Sequence, residues 1–229
     1  MIVTDPPYYD TIQYAELSDF FYVWQRAVLS DIFPDLYQED LTEKDKEVVA
    51  NASRFKGKKA NAKELARIDY ENKLLNVFKE HNRVLRDDGV MTIQFNHKNI
   101  DAWDCLSRSL IDTGFTVTAS WEVVTENPQN LHQRNKKSIS STILLVCRKR
   151  LSTETTAWES IRPLIIESIS SELVLTEKNK LNIEDFHSKL FGLALKKFSM
   201  YDKVINDRGE KVRPKAVFLE VISAIASLQ

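Results

Sequence analysis

Two consecutive prolines, Pro6 and Pro7, set the first hard limit on this chain. Neither can donate a backbone hydrogen bond, so the extended run Ile2-Val3-Thr4 must stop laddering into a sheet at that point. Ile, Val and Thr suit a pleated, buried surface. A short strand that breaks into Asp5-Pro6-Pro7-Tyr8 puts an acid and an aromatic ring at its carboxyl end. In open α/β sheets that edge is where ligands bind. A domain seldom opens inside a central strand, so further chain is expected upstream of Ile2.

The pattern downstream predicts the rest of such a sheet. Leu17, Phe20, Phe21, Trp24 and Val28 recur at spacings of three and four and predict a helix over 15–33. Residues 38–63 are charged and weakly periodic, with Lys56-Gly57-Lys58-Lys59, and read as a mobile insertion. A longer helix follows with Leu65, Ile68, Leu75, Phe78 and Leu85 on one stripe. Arg86-Asp87-Asp88-Gly89 reads as a turn, and residues 90–95 alternate as a strand. A helix over 99–112 should bury Trp103, Leu106 and Leu110, with Gly114 as its stop. Residues 115–124 and 142–147 read as strands joined by a polar segment, and helices are expected at 155–171, 183–199 and 214–227. The order predicts an α/β fold: the second half of a sheet ending in an antiparallel hairpin, over residues 1–150, followed by a helical appendage over 151–229. The strand at 2–4 should lie parallel to the strand at 90–95, because a right-handed crossover joins them.

Composition narrows the class. Hydrophobic residues make up 43% and charged residues 28% of 229 residues, the balance of a globular chain. The net charge of −1 gives no overall pull toward nucleic acid, so any basic surface must be local. Cys105 and Cys147 sit in apolar segments without metal-ligand spacing and read as reduced core residues. No signal peptide is evident and no apolar run approaches about 18 residues, which predicts a soluble, cytoplasmic chain off the membrane.

The residue types at 5–8 suit one kind of chemistry. An exocyclic base amine is a poor nucleophile because its lone pair is delocalised into the ring. Asp5 can accept one of its N–H groups and the Pro6 carbonyl the other, while Pro6 and Pro7 hold that carbonyl rigidly and donate nothing themselves. Tyr8 offers a face on which an extruded base can stack. A plain turn is the competing reading of the bare tetrapeptide.

The run Thr4-Asp5-Pro6-Pro7-Tyr8-Tyr9-Asp10, followed by Tyr14-Ala15-Glu16-Leu17-Ser18-Asp19-Phe20-Phe21-Tyr22-Val23-Trp24, resembles the large bacterial and archaeal adenine-specific DNA methylases that carry an N-terminal domain of unknown function and an inserted zinc ribbon. Further matching segments are Arg83-Val84-Leu85, Asp88-Gly89, Phe95-Asn96-His97-Lys98, Gly114-Phe115 to Trp121, Ser140 to Arg150, and Phe191 to Arg213. The resemblance implies a Rossmann-like methyltransferase fold, S-adenosylmethionine as donor, adenine N6 in DNA as acceptor, and no metal in the transfer step. It implies catalytic roles for Asp5, Pro6, Pro7 and Tyr8, with Asp5 and Asn96 beside the cofactor. The glycine-rich cofactor loop of such enzymes has no counterpart among the five glycines, Gly57, Gly89, Gly114, Gly192 and Gly209, and the zinc ribbon is missing too. The chain therefore resembles a C-terminal half that works with a cofactor-binding half, in cis or as a separate subunit.

Secondary candidates gather around this edge. His97 and Lys98 follow the strand at 90–95 and could line the base pocket; Tyr9 and Asp10 could shape the loop over the base. Arg134, Lys136 and Lys137, with His132, make a basic stretch suited to DNA phosphates, and Lys56 to Lys59 is a weaker second cluster. Related motifs also serve cytosine N4 in DNA, guanine N2 in RNA and glutamine side chains. A non-catalytic remnant or assembly module is the remaining alternative.

Overall fold

The computed structural model describes residues 1–58, 60–124, 141–176 and 183–226. Two compact units emerge, one made of residues 1–6 with 71–229 and the other of residues 7–70. The first holds a four-stranded sheet of β1 (Ile2–Thr4), β2 (Met91–Phe95), β3 (Phe115–Val124) and β4 (Ser141–Lys149), in the order β1-β2-β4-β3. β1 runs parallel to β2, as the crossover argument expects, and β4 runs antiparallel to both β2 and β3. The closing hairpin thus docks through its second strand, with β3 outermost.

One face of this sheet is dry. Met91, Ile93 and Phe95 of β2 stand opposite Cys147, Leu145 and Ile143 of β4, and all six are buried. Their neighbours Thr92, Gln94, Leu144 and Val146 are only partly covered, the period-two alternation of a strand pair. Both cysteines are buried free thiols, and burial pushes the Cys147 thiol up to about 12.

Helix α3 (Ile100–Asp112) packs on the dry face and starts where the sequence expects. The Asn99 side chain accepts the Asp101 N–H at 2.9 Å, the bond that makes Asn a favoured N-cap. The helix stops at Gly114, whose φ of +82° a side chain would resist. Trp103, with no exposed surface, meets Phe95 edge-on at 5.1 Å, Phe191 at 5.6 Å and Phe218 at 6.3 Å. Those last two rings come from α5 (Ile183–Phe198) and α6 (Pro214–Ala226). The helices after Arg150 therefore build the same core as the sheet. At Gly192, α5 crosses β3 so closely that a Cβ would sit 2.0 Å from the Ser120 Oγ. Asp104 of α3, 3% exposed, accepts the Lys215 N–H at 2.9 Å and so caps α6 from a distant part of the chain.

The C-terminal region also departs from an all-helical reading. Residues 155–157 form β5 (Thr155–Ala157), which pairs in parallel with β6 (Lys203–Ile205), and α4 (Trp158–Thr176) begins only after it. Arg150 joins these parts, donating to the carbonyls of Ile111 and Phe115 and pairing with Asp202 at 2.6 Å. No helix among the described residues is long and apolar enough to cross a membrane.

The second unit contains α1 (Tyr14–Leu29) and the first turns of α2 (Ala62–Val84). The stripe expected on α2 is rotated. Ala66, Tyr70, Leu74 and Phe78 are buried at every fourth position, whereas Ile68 is exposed and Leu65 and Leu75 are only partly covered. Aromatic Tyr70 takes the place that apolarity alone gave to Ile68.

Residues 38–63 have more fixed structure than a loose insertion. Short 3₁₀ turns occur at Lys44–Lys46 and Ala52–Phe55, and Val49, Ala50 and Asn51 are buried. The segment hydrogen-bonds along α1: the Thr42 hydroxyl donates to Asp19 at 2.6 Å, Lys44 pairs with Asp19 at 2.6 Å, and Asn51 donates to Glu16 at 2.8 Å. These partners hold the Asp19 carboxyl below the usual carboxylate range, the Lys44 contact contributing most.

Candidate functional site

The parallel register sets Thr4 opposite Ile93, so Asp5 and the segment after Phe95 leave the sheet at the same edge. Asp5 is exposed and Pro6 is buried. Among the described residues, no hydrogen bond or ion pair engages the Asp5 carboxylate and no donor reaches the Pro6 carbonyl. Two acceptors in succession at the end of a strand are thus unused by the described residues.

The neighbouring strand end is held in place by its own contacts. Asn96 is buried, and its carboxamide oxygen accepts the Ser188 hydroxyl at 3.0 Å. At His97 the ring Nδ1 accepts the Asn99 N–H at 2.9 Å. The Trp103 indole N–H donates to the His97 carbonyl at 2.8 Å. His97 is therefore fixed in backbone position and in ring orientation by the first turn of α3. Lys98 projects into solvent.

In the second unit, residues 7–11 form a tight turn. The Pro7 carbonyl accepts both the Tyr9 N–H at 2.9 Å and the Tyr70 hydroxyl at 3.0 Å. Tyr8 is half-buried, and its carbonyl accepts the Thr11 N–H at 3.1 Å and the Thr11 hydroxyl at 2.8 Å. Tyr9 has a φ of +56°, a left-handed conformation that costs a non-glycine residue about 1–3 kcal/mol. Two contacts offset that strain: the Ala50 N–H donates to its carbonyl at 2.9 Å, and its buried ring meets Tyr70 edge-on at 5.2 Å. Asp10 is exposed. The segment that the sequence left structureless, at Ala50, is what closes this turn.

Arg134, Lys136 and Lys137, along with His132 and Lys59, lie outside the described residues. Tyr70 and Ser188, which the sequence reading passed over, and Trp103, expected only as a core residue, support the motif and the neighbouring strand end. Tyr70 occupies the Pro7 carbonyl, Ser188 holds Asn96, and Trp103 holds His97. Tyr70 and Trp103 could have been found as polar-tipped aromatics in helices, since a buried Tyr or Trp needs a partner for its O–H or N–H. Ser188 carries no local signal.

A family model described as DNA methylase aligns with residues 1–210. No curated protein and no solved structure matches the chain.

Proposed function

This chain belongs to the DNA methylase family, whose members methylate base amino groups at N6 or N4, and from that premise we propose that it serves methyl transfer to adenine N6 in DNA. One observation carries the reading: among the described residues the Asp5 carboxylate and the Pro6 carbonyl have no partner at the carboxyl end of β1, whereas the Pro7 carbonyl is already occupied. An adenine amine has two N–H groups, and two acceptors in succession match them. Asp5 accepts one and stabilises positive charge as it develops on nitrogen; Pro6 accepts the other and orients the lone pair. The base must leave the helical stack to reach such a site, and Tyr8 supplies a face for it, worth about 1–3 kcal/mol where bases stack on aromatic rings.

The remaining candidates take supporting places in this reading. His97, with its ring oriented by the Asn99 N–H, lines the base pocket, and Lys98 serves as a phosphate contact beside it. Asn96, which this reading places next to the cofactor, accepts the Ser188 hydroxyl on its carboxamide oxygen and positions the turn that carries His97. Tyr9 and Asp10 shape the turn after the motif. Arg134, Lys136 and Lys137 contribute charge for DNA phosphates, an assignment that rests on residue type.

S-adenosylmethionine supplies an electrophilic methyl group when bound. The residues here fit the amine side of that reaction and not a full cofactor cradle. Gly89 and Gly114 precede strands, Gly192 lies within a helix, and Gly57 and Gly209 occupy turns with positive φ. None stands in a strand-to-helix turn whose backbone N–H groups could surround a ligand. The reading therefore includes a separate cofactor-binding half, in cis or as a subunit, with Asp5 as this chain's residue nearest the donor.

Transfer of labelled methyl to duplex DNA by the completed enzyme, followed by nucleoside analysis, tests the proposal. N6-methyladenine is the expected product; N4-methylcytosine would reassign the acceptor. Asp5→Ala should lower the rate by about 10²–10³, the usual loss for one such electrostatic partner. Its melting temperature should hold, because Asp5 is exposed and its removal opens no cavity. Asp5→Asn should retain more activity, since an amide oxygen still accepts. Full turnover in Asp5→Ala would remove this residue from the chemistry.

A further inference from the structure

Helix α1 is amphipathic in the reverse sense. The face that meets the rest of its unit is polar: Ala15, Asp19, Tyr22 and Arg26 recur every three or four residues. All four bond to residues 37–47. The Ala15 N–H donates to Glu47, Asp19 accepts from Thr42 and Lys44, and the Tyr22 hydroxyl and the Arg26 guanidinium donate to the Glu39 and Tyr37 carbonyls. On the opposite face Leu17, Phe20, Phe21, Trp24 and Val28 are each between 62% and 74% exposed. No residue of α1 is buried. Ile32, Phe33 and Leu36 continue the apolar sequence beyond the helix and are also exposed.

Area decides what kind of occupant this face suits. Side chains of this size and exposure leave on the order of 100–150 Å² apiece, so the eight residues sum to roughly 1,000 Å². The largest apolar patch on a typical soluble monomer is about 300–600 Å², and a stable protein–protein interface takes about 800 Å² from each partner. The face holds no cation, so nucleic-acid phosphate does not suit it, and its aromatics match what interface cores enrich.

We propose that this face is the interface of a two-fold homodimer in which α1 packs antiparallel against its copy. A two-fold axis pairs a surface with itself, and the stripe is close to self-complementary: an axis between Phe21 and Trp24 sets Leu17 against Val28 and the aromatic pair Phe20-Phe21 against Trp24. The inference rests on α1 and the apolar residues that follow it, and is independent of the methylase chemistry.

Sedimentation equilibrium of the chain across about 1–100 µM tests it. The wild type should be dimeric in the micromolar range. The double variant Phe20→Gln, Trp24→Gln should be monomeric throughout, with an unchanged circular dichroism spectrum, because both side chains are exposed and leave no cavity. Single Leu17→Gln should weaken the dimer without abolishing it, which keeps the test informative if the double variant misfolds. A wild-type monomer at the top of that range would overturn the proposal and hand the face to a different protein. A dimer of equal strength in the folded double variant would also overturn it, and would point instead to pairing through the open edge of β1.

Discussion

Helices α1 and α3 carry the same kind of message in sequence and meet opposite fates in structure. Both repeat large apolar residues at spacings of three and four, and each centres on a tryptophan, Trp24 in one and Trp103 in the other. Trp103 is wholly enclosed by Phe95, Phe191 and Phe218, while Trp24 is 66% exposed. The difference lies in what the chain offers the opposite face. Asp19 and Arg26 find charged or carbonyl partners among residues 37–47, so the polar side of α1 is the one drawn inward. Periodicity identifies an apolar face; it does not say whether the covering surface belongs to the same molecule.

The sharpest way to break this comparison is to truncate both tryptophans. Trp103→Ala should cost about 3–5 kcal/mol, the range for removing a large buried aromatic. Trp24→Ala should stay within about 0.5 kcal/mol at concentrations where the chain is monomeric. Urea denaturation of the two variants side by side is the measurement, and equal losses would show that α1 is covered after all.

Gly192→Ala probes the packing of the first unit without touching an aromatic. The new Cβ would lie 2.0 Å from the Ser120 Oγ and 2.7 Å from the Ser120 Cβ, so α5 or β3 must shift. About 1–3 kcal/mol should be lost, as for other overpacked contacts. Ser120→Gly in the same chain should recover part of that loss, and no recovery would place the strain elsewhere.

A smaller loss than at Gly192 is expected around Tyr9 and Tyr70, on which the order of the second unit centres. Tyr70→Phe keeps the ring contact and removes the hydroxyl that donates to Pro7. The Pro7 carbonyl still has the Tyr9 N–H, so the loss should be about 0.5–1.5 kcal/mol. If turnover falls further than stability does, that hydrogen bond fixes the motif's geometry as well as the fold.

The parts of this molecule that local rules govern were readable from sequence. Pro6-Pro7 end β1 where a missing donor requires it, Asn99 and Gly114 bound α3, and the alternation of β2 gives its buried face. Nonlocal partners were not readable. β5 and β6 have three residues each, too short for any period to register, and pair with partners 48 positions apart in the chain. The Ser188 bond to Asn96 spans 92 residues, and the turn at Tyr9 depends on Ala50 and Tyr70, neither of which marks itself as a partner. The motif's identity was legible in Asp5 to Tyr8. Which of its carbonyls is already taken required the fold.

The strand order bears on how this protein is made. β2 leaves the ribosome well before β3, yet the two never pair; β4, synthesised after both, fits between them. Until residue 149 is available, β3 has no ladder to join and β2 keeps one side open. A sheet that closes from its middle delays its long-range contacts, the condition under which folding is slow and nascent strands are prone to wrong partners. Translation of the segment between β3 and β4 is therefore the window in which a nascent-chain chaperone has most to protect.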